Sequence, residues 1–143
     1  MYTIAEIEDK IVETLKASLS PICKNIGGYY GELEDLVADV TKLTVNTPAI
    51  FVLYAGSTFE ESANRSYDED QTFAIIFVAK NLQGQKNLRD TIYPIIDAGK
   101  KCLMDNNMGL DIEPLHPQRI DPLVISKIYS IYGMDFKTSF SLN

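Results

Sequence analysis

The sequence predicts an α+β fold: a mostly antiparallel, four-stranded sheet with two long helices packed on it. The middle of the chain contains two apolar segments of strand length, residues 48–56 and 72–80. Both segments are apolar at odd and even positions alike, which is typical of strands that are covered on both faces. A helical pattern precedes them and another follows, and this order of elements favours the α+β class.

The first helix is predicted from residue 4 to residue 19. Thr3 and Glu6 have the spacing of a capping box, in which each side chain binds the backbone amide of the other residue. Pro21 predicts the end of the helix, because proline disfavours helical backbone at the residue before it. The apolar residues recur every three or four positions and form one stripe: Ile4, Ile7, Ile11, Val12, Leu15 and Leu19.

Residues 22–47 predict turns and one short helix. We expect turns at Gly27-Gly28 and Gly31, a helix at residues 33–40, and a loop or short edge strand at residues 41–47. The second apolar face of the central strands needs a cover. The helix at residues 33–40 could supply it, or a neighbouring subunit could, and the second alternative predicts an oligomer.

A second long helix is predicted between Gly84 and Leu103. Pro94 is tolerable in this helix if Asp90 caps its start, because the missing amide hydrogen then costs no helical bond, and otherwise Pro94 is expected to kink the helix. The residues on its predicted apolar face are Leu88, Ile92, Ile95, Ile96, Gly99, Cys102 and Leu103.

The C-terminal third of the chain predicts two more strands. A short strand is expected at residues 110–115, followed by a proline-rich turn at residues 116–122. The last strand is expected at residues 123–138. Its apolar residues fall mainly on one parity, whereas Lys127 and Asp135 fall on the other, so this strand is expected to be half exposed or to lie at an interface.

Residues 57–71 join the two central strands and are too long for a tight hairpin turn. Long loops without secondary structure are uncommon, and they are often functional or disordered. This stretch is acidic, with one arginine. We therefore predict an interaction loop, and its candidate residues are Glu60, Glu61, Arg65, Tyr67, Asp68, Glu69 and Asp70.

The length of 143 residues predicts a single domain, residues 1–143, since such a chain can bury roughly two-thirds of its unfolded surface. The formal net charge of −7 argues against nucleic acid as the main partner, because phosphate contacts need clustered Lys and Arg. The sequence shows no signal-peptide pattern and no transmembrane-length apolar run, so no membrane partner is expected. Cys23 and Cys102 are expected to be reduced thiols.

No catalytic, cofactor-binding or metal site is predicted. His116 is the only histidine, and neither Cys23 nor Cys102, its candidate nucleophiles, lies in a recognisable motif. A histidine in a turn with a structural hydrogen bond is the favoured interpretation. The acidic stretch lacks the alternating ligands and the glycine of a calcium loop, and the sequence has no glycine-rich phosphate motif and no zinc-ligand spacing.

The order and spacing of these segments resemble a tail-protein family of Mu-like phages and prophages, over nearly the whole chain. In Mu-like genomes this family is encoded just ahead of the tail sheath and tube, where a tail terminator or tail-completion protein is expected. The resemblance implies a small subunit with a tail-terminator-like fold and no catalytic residues. The matching segments are residues 4–11, residues 48–56, the strand that leads into residues 79–84, the helix to Leu103, residues 112–115 and a long last strand.

The resemblance further implies a structural, non-enzymatic protein. Tail terminators form a ring, often a hexamer, at the head-proximal end of the tail tube, and the ring stops polymerisation of tube and sheath. The implied partners are other copies of the chain, the tube and sheath proteins and the head–tail connector. The implied location is the virion tail, after assembly in the host cytoplasm. A head–tail joining or baseplate adaptor subunit is the alternative, and a small cysteine hydrolase is a third class.

Overall fold

The computed structural model describes residues 2–31, 33, 46–80, 88–126 and 128–142. These residues form two α-helices and five strands, and a π-helical turn, Leu88–Ile92, leads into the second helix. In chain order the elements are α1 (Ile4–Leu19), β1 (Asn25–Gly28), β2 (Ala49–Glu61), β3 (Tyr67–Lys80), α2 (Tyr93–Leu103), β4 (His116–Ile125) and β5 (Tyr129–Leu142).

The strands form one five-stranded sheet in the order β1-β2-β3-β5-β4. β1 lies parallel to β2, and the other neighbouring strands are antiparallel. The α+β class is confirmed, but the sheet is mixed and has one strand more than predicted. Gly27 and Gly28 belong to β1 and not to a turn, because pairing with β2 buries Ile26 beside Ile50 in the core.

β4 occupies residues that were expected to form a proline-rich turn. It is an edge strand, so one side of its backbone has no neighbouring strand among the described residues, and proline is tolerated in such a position. Its pairing with β5 is irregular next to both prolines, between Pro117 and Arg119 and between Pro122 and Val124. The two prolines therefore do interrupt the regular backbone, but they do so in an edge strand and not in a turn.

The short strand predicted at residues 110–115 does not form. This segment nevertheless runs beside β5: the Glu113 amide donates to the Ser139 carbonyl at 2.9 Å, and the Thr138 hydroxyl donates to the Glu113 carbonyl at 2.6 Å. Among the described residues, one backbone bond and one side-chain bond join the segment to β5, which is too few for a strand ladder.

The single strand predicted at residues 123–138 is two strands, β4 and β5. Between them the Ser126 hydroxyl accepts hydrogen bonds from the amides of Ile128 and Tyr129, at 3.2 and 2.8 Å. A serine side chain that binds nearby amides offers the backbone an alternative to the sheet ladder. The chain therefore reverses at this serine.

α1 has the predicted bounds, and its capping box is confirmed. The Glu6 amide donates to the Thr3 hydroxyl at 3.1 Å, and the Thr3 amide donates to the Glu6 carboxylate at 2.6 Å. Of the helices that the structure describes, none is both long and apolar enough to span a membrane.

α2 ends at Leu103 as predicted, with Pro94 in its first turn. The alternative in which Asp90 caps this helix is wrong. Asp90 lies inside the π-helical turn, and the position before α2 is Ile92, whose backbone is itself helical. Helical backbone continues from that turn into α2, so the helix has no free first turn for Asp90 to cap.

The larger core lies between the two helices and one face of the sheet. The apolar stripe predicted for α1 faces this core through Ile7, Ile11, Leu15 and Leu19, which are fully buried. From the sheet, the buried core residues include Ile26, Ile50, Val52, Phe73, Ile75, Phe77, Met134 and Phe136. We call this side of the sheet the helix side.

A smaller apolar cluster covers the opposite face of the sheet. It consists of Leu33, Ala49, Phe51, Ile76, Val78, Tyr129 and Ile131. The Tyr29 ring packs edge-on against Phe51, with ring centroids 5.9 Å apart. The predicted two-sided burial of the central strands is confirmed within one chain. Leu33 belongs to the cover, and the rest of the predicted segment, residues 34–45, lies outside the described residues.

Candidate interaction surface

The predicted loop at residues 57–71 is a β-hairpin. β2 continues to Glu61, β3 begins at Tyr67, and these two residues are paired with each other. Ser62 and Ser66 close the turn: the Ser62 amide donates to the Ser66 carbonyl at 2.7 Å, and the two hydroxyl oxygens are 2.7 Å apart. The candidate residues therefore lie on a regular scaffold.

This hairpin was not predicted because its turn contains no glycine. Asn64 and Arg65 have positive φ angles of 71° and 61° instead, a conformation that asparagine tolerates better than most residues. β5 accompanies the hairpin on the other side of β3, as far as the pairing of Tyr67 with Leu142. We refer to the resulting three-stranded extension, residues 57–61, 67–71 and 138–142, as the arm.

A β-bulge at the base of the arm determines which side chains face the helix side. The pairing of β2 with β3 shifts between Tyr54 and Gly56, and Gly56 has a φ of +111°, which favours glycine. Even-numbered residues of β2 face the helix side before the bulge, and odd-numbered residues do so after it.

The bulge divides the seven candidate residues between two faces. The structure therefore does not bring the five carboxylates together in one patch. Glu61, Tyr67 and Glu69 lie on the helix side, Glu60, Asp68 and Asp70 lie on the opposite face, and Arg65 lies in the turn.

On the helix side, Glu69 is held within the arm. Its Oε2 atom accepts hydrogen bonds from the Ser57 hydroxyl at 2.6 Å and from the Gln71 amide nitrogen at 3.0 Å. Phe59 is paired with Glu69, and Tyr67 follows on the same face; their side chains are 58% and 48% exposed. Two aromatic rings thus project from a rigid strand pair into solvent.

A groove of about 670 Å³ adjoins this face of the arm. It lies between Tyr2, residues 111–114 and residues 139–141 of β5, and Phe140 contributes an apolar part of its lining. The Tyr2 hydroxyl accepts a hydrogen bond from the Asp111 amide at 3.1 Å, which ties the start of α1 to the groove. Asp111 and Glu113 make its rim acidic.

The opposite face of the arm is polar, and part of its charge is neutralised. The Ser141 hydroxyl donates to the Asp68 carboxylate at 2.8 Å, and the Lys137 ammonium lies 3.5 Å from the Asp70 carboxylate. Glu60 on this face and Glu61 on the helix side are exposed, and neither has a partner among the described residues. These two carboxylates are the most accessible charges of the arm.

The two thiols are poorly suited to nucleophilic chemistry. The Cys23 side chain is buried, with its Sγ atom 3.4 Å from the Pro48 carbonyl oxygen. Burial raises the pKa of the Cys23 thiol and that of the Cys102 thiol. A catalytic cysteine needs a lowered thiol pKa, because the thiolate is the nucleophile.

His116 does not occupy the expected turn. It is the first residue of β4 and is exposed, and its Nδ1 atom lies 3.8 Å from an Asp105 carboxylate oxygen, which is too long for the predicted structural hydrogen bond. Within the described ranges, no three His, Cys, Asp or Glu side chains are grouped so that they could hold a metal ion.

Sequence reasoning missed Phe59 and the C-terminal residues Phe140 and Leu142, which complete the helix-side face of the arm. No periodic pattern marks Phe59, because polar residues flank it on both sides at positions 57–58 and 60–61. No local sequence pattern could have shown that β5 contributes to the arm, because this contribution depends on its pairing with β3.

The chain matches the family model described as Bacteriophage Mu, Gp37 over residues 3–141. No curated protein matches it. A solved chain from the "Virion of native gene transfer agent (GTA) particle" has a similar fold, with a TM-score of 0.62 and 10% sequence identity over 99% of this chain and 100% of that chain. At this identity the likeness shows the fold. The family match confirms the resemblance to proteins of Mu-like phages, and it supports the interpretation that this chain is a protein of the tail region. The chain therefore belongs to the bacteriophage Mu Gp37 family.

Proposed function

We propose that this protein is a structural subunit of a phage or prophage tail, of the tail terminator or tail-completion type. Its subunits close into a ring at the end of the tail tube and stop polymerisation. The observation that carries the proposal is that the family match extends over residues 3–141, which is almost the whole chain. The virion chain of similar fold supports it, since the likeness covers both chains nearly completely.

The proposed mechanism is surface complementarity without covalent chemistry. The central strands are covered within one chain, so their apolar faces do not make contacts between subunits. Other exposed surfaces must therefore make these contacts. The arm suits this role, because three paired strands hold Phe59, Glu60, Glu61 and Tyr67 in fixed positions and leave them exposed. We propose that the arm contacts the tube, the sheath or a neighbouring subunit.

The proposed position can be tested by deleting the gene and examining the particles by electron microscopy. Loss of a terminator should give tails of uncontrolled length without attached heads, and a labelled protein should form a ring at the head-proximal end. Label at the baseplate, or at a head–tail joint of tails with normal length, would support the adaptor alternative. Normal, infectious particles from the deletion strain would contradict both roles.

The role of the arm can be tested by neutralising its carboxylates with Glu60→Gln, Glu61→Gln, Asp68→Asn, Glu69→Gln and Asp70→Asn together. A smaller variant, Glu60→Gln with Glu61→Gln, leaves the internal hydrogen bonds of the arm intact. Asp9→Asn with Glu13→Gln, on the exposed side of α1, is the matched control. We expect defective tails from both arm variants and normal tails from the control. Normal tail length and ring assembly in both arm variants would contradict this role.

A further inference from the structure

We propose that the ring contact joins the helix-side face of the arm on one subunit to a groove between the last turns of α1 and α2 on the next subunit. This contact rests on the proposed ring and deepens it by naming both halves of the interface. A ring of more than two subunits uses two different surfaces on each subunit. The structure offers two surfaces whose chemistry is complementary.

The first surface is the arm. Phe59 and Tyr67 are about half exposed, and Phe140 and Leu142 lie next to them in β5. Glu61 is paired with Tyr67 and is exposed on the same face. This surface is therefore apolar with an anionic edge.

The second surface is a groove of about 360 Å³ between the helix ends. It is lined by Ser18 and Leu19 of α1 and by Ala98, Lys101 and Cys102 of α2. Beyond the helices, the exposed side chains of Ile22 and Met104 follow Leu19 and Leu103 in the chain.

One lysine gives this second surface a positive charge. Lys101 lines the groove. Across the described ranges, no carboxylate lies within ion-pair distance of its ammonium group. This surface is therefore partly apolar with a cationic edge, which is the complement of the arm.

The complementary charges of the two surfaces favour a second copy of the chain as the occupant. At a formal net charge of −7, two subunits repel each other unless the contact brings unlike charges together. An arm-to-groove contact does this, because it places Glu61 of one copy near Lys101 of the next. An arm-to-arm contact would instead oppose like charges.

The two surfaces also lie at opposite ends of β2. The Cys23 thiol donates to the Pro48 carbonyl at 3.4 Å, so the end of α1 lies beside the start of β2. The arm is the far end of this 13-residue strand, which is about 40 Å away at about 3.3 Å per residue. Each subunit can therefore meet one neighbour through its arm and another through its groove.

Charge reversal tests the contact. Glu61→Lys or Lys101→Glu alone opposes like charges at every contact, so we expect light scattering and electron microscopy of either variant, alone or on tail tubes, to show loss of the ring. An equal mixture of the two variants should restore rings in which the variants alternate, with an even number of subunits. Glu13→Lys is the matched control, since it makes the same change on the exposed side of α1, outside both surfaces, and it should keep the ring.

The possible results separate this contact from the proposed function. Rings that persist in both single variants, or that are lost equally in Glu13→Lys, would overturn the arm-to-groove contact without contradicting the proposed ring. If circular dichroism shows that both variants are folded, failure of their mixture to restore rings would also overturn the arm-to-groove contact. A wild-type protein that forms no ring either alone or on tail tubes would contradict the ring itself, and this contact with it.

A covalent test is independent of charge. Cys102 lines the groove, so Phe59→Cys should place a second thiol within reach of it in the neighbouring subunit. Mild oxidation with diamide should then give a ladder of disulfide-linked multimers, and Cys102→Ser should remove the ladder. Thr58→Cys, on the opposite face of the arm, should give none. A ladder of equal intensity from Thr58→Cys would contradict the assignment of the face.

Discussion

The Phe77 ring of β3 lies directly against Gly99 of α2, and its edge is 3.0 Å from the position that a Cβ atom on Gly99 would occupy. Phe77 and Gly99 are both buried. The absence of a side chain at residue 99 therefore allows α2 to approach the sheet closely. This contact connects a residue in the middle of the helix to the centre of the larger core.

Gly99→Ala is expected to destabilise the protein. Helix propensity alone would favour alanine by about 1 kcal/mol. The added methyl group, however, would meet a ring that cannot move into solvent, and overpacking of a core costs about 1–3 kcal/mol. We expect the steric term to dominate and the free energy of unfolding in urea to fall by about 1 kcal/mol. Gly27→Ala is the control, since a Cβ atom added there would have no atom within 4 Å. A more stable Gly99→Ala protein would refute this packing.

Thr3→Ala is expected to lower the free energy of unfolding by about 1 kcal/mol, because it removes the hydroxyl that caps the start of α1. Thr3→Ser keeps the hydroxyl and should retain most of the stability. Urea denaturation of the three proteins measures the effect. Equal midpoints for Thr3→Ala and the wild type would show that the capping box contributes nothing.

Hydrogen exchange should distinguish an arm from a loop. Residues 67–71 belong to a strand with neighbours on both sides, so their amides should exchange more slowly than those of the turn at residues 62–66. The expected order can be read by mass spectrometry of peptides that cover each segment. Uniformly fast exchange from residue 57 to residue 71 would contradict the hairpin and favour the loop that the sequence suggested.

Both cysteines should react slowly with iodoacetamide in the folded protein. Burial raises the pKa of each thiol above the ordinary value of about 9.0, so less thiolate is present at pH 8 than in an unfolded chain. We expect slower alkylation in buffer than in urea, and a rate in buffer that is still rising above pH 9. Faster alkylation of either cysteine in the folded protein would reveal an activated thiol and revive the hydrolase interpretation.

The correct sequence predictions rest on short-range chemistry. The capping box of Thr3 and Glu6 needs only residues three positions apart, and the apolar stripe of α1 needs only helical periodicity. The two-sided burial of residues 49–52 and 75–78 followed from their apolar character at both parities. The predicted interaction loop is a hairpin instead, and its seven candidate residues lie on two faces and in the turn of that hairpin.

The sequence alone determined α1, the end of α2, the α+β class, the buried character of the central strands and the resemblance to Mu-like phage proteins. The tertiary structure alone decided the sheet edges and the arm. Polar residues 57–61 and 67–71 are extended because β3 pairs with β2 on one side and with distant β5 on the other. The bulge at Gly56 then separates Glu60 from Glu61 on opposite faces. Local patterns cannot specify these features, since their backbone hydrogen bonds connect strands that are far apart in the chain.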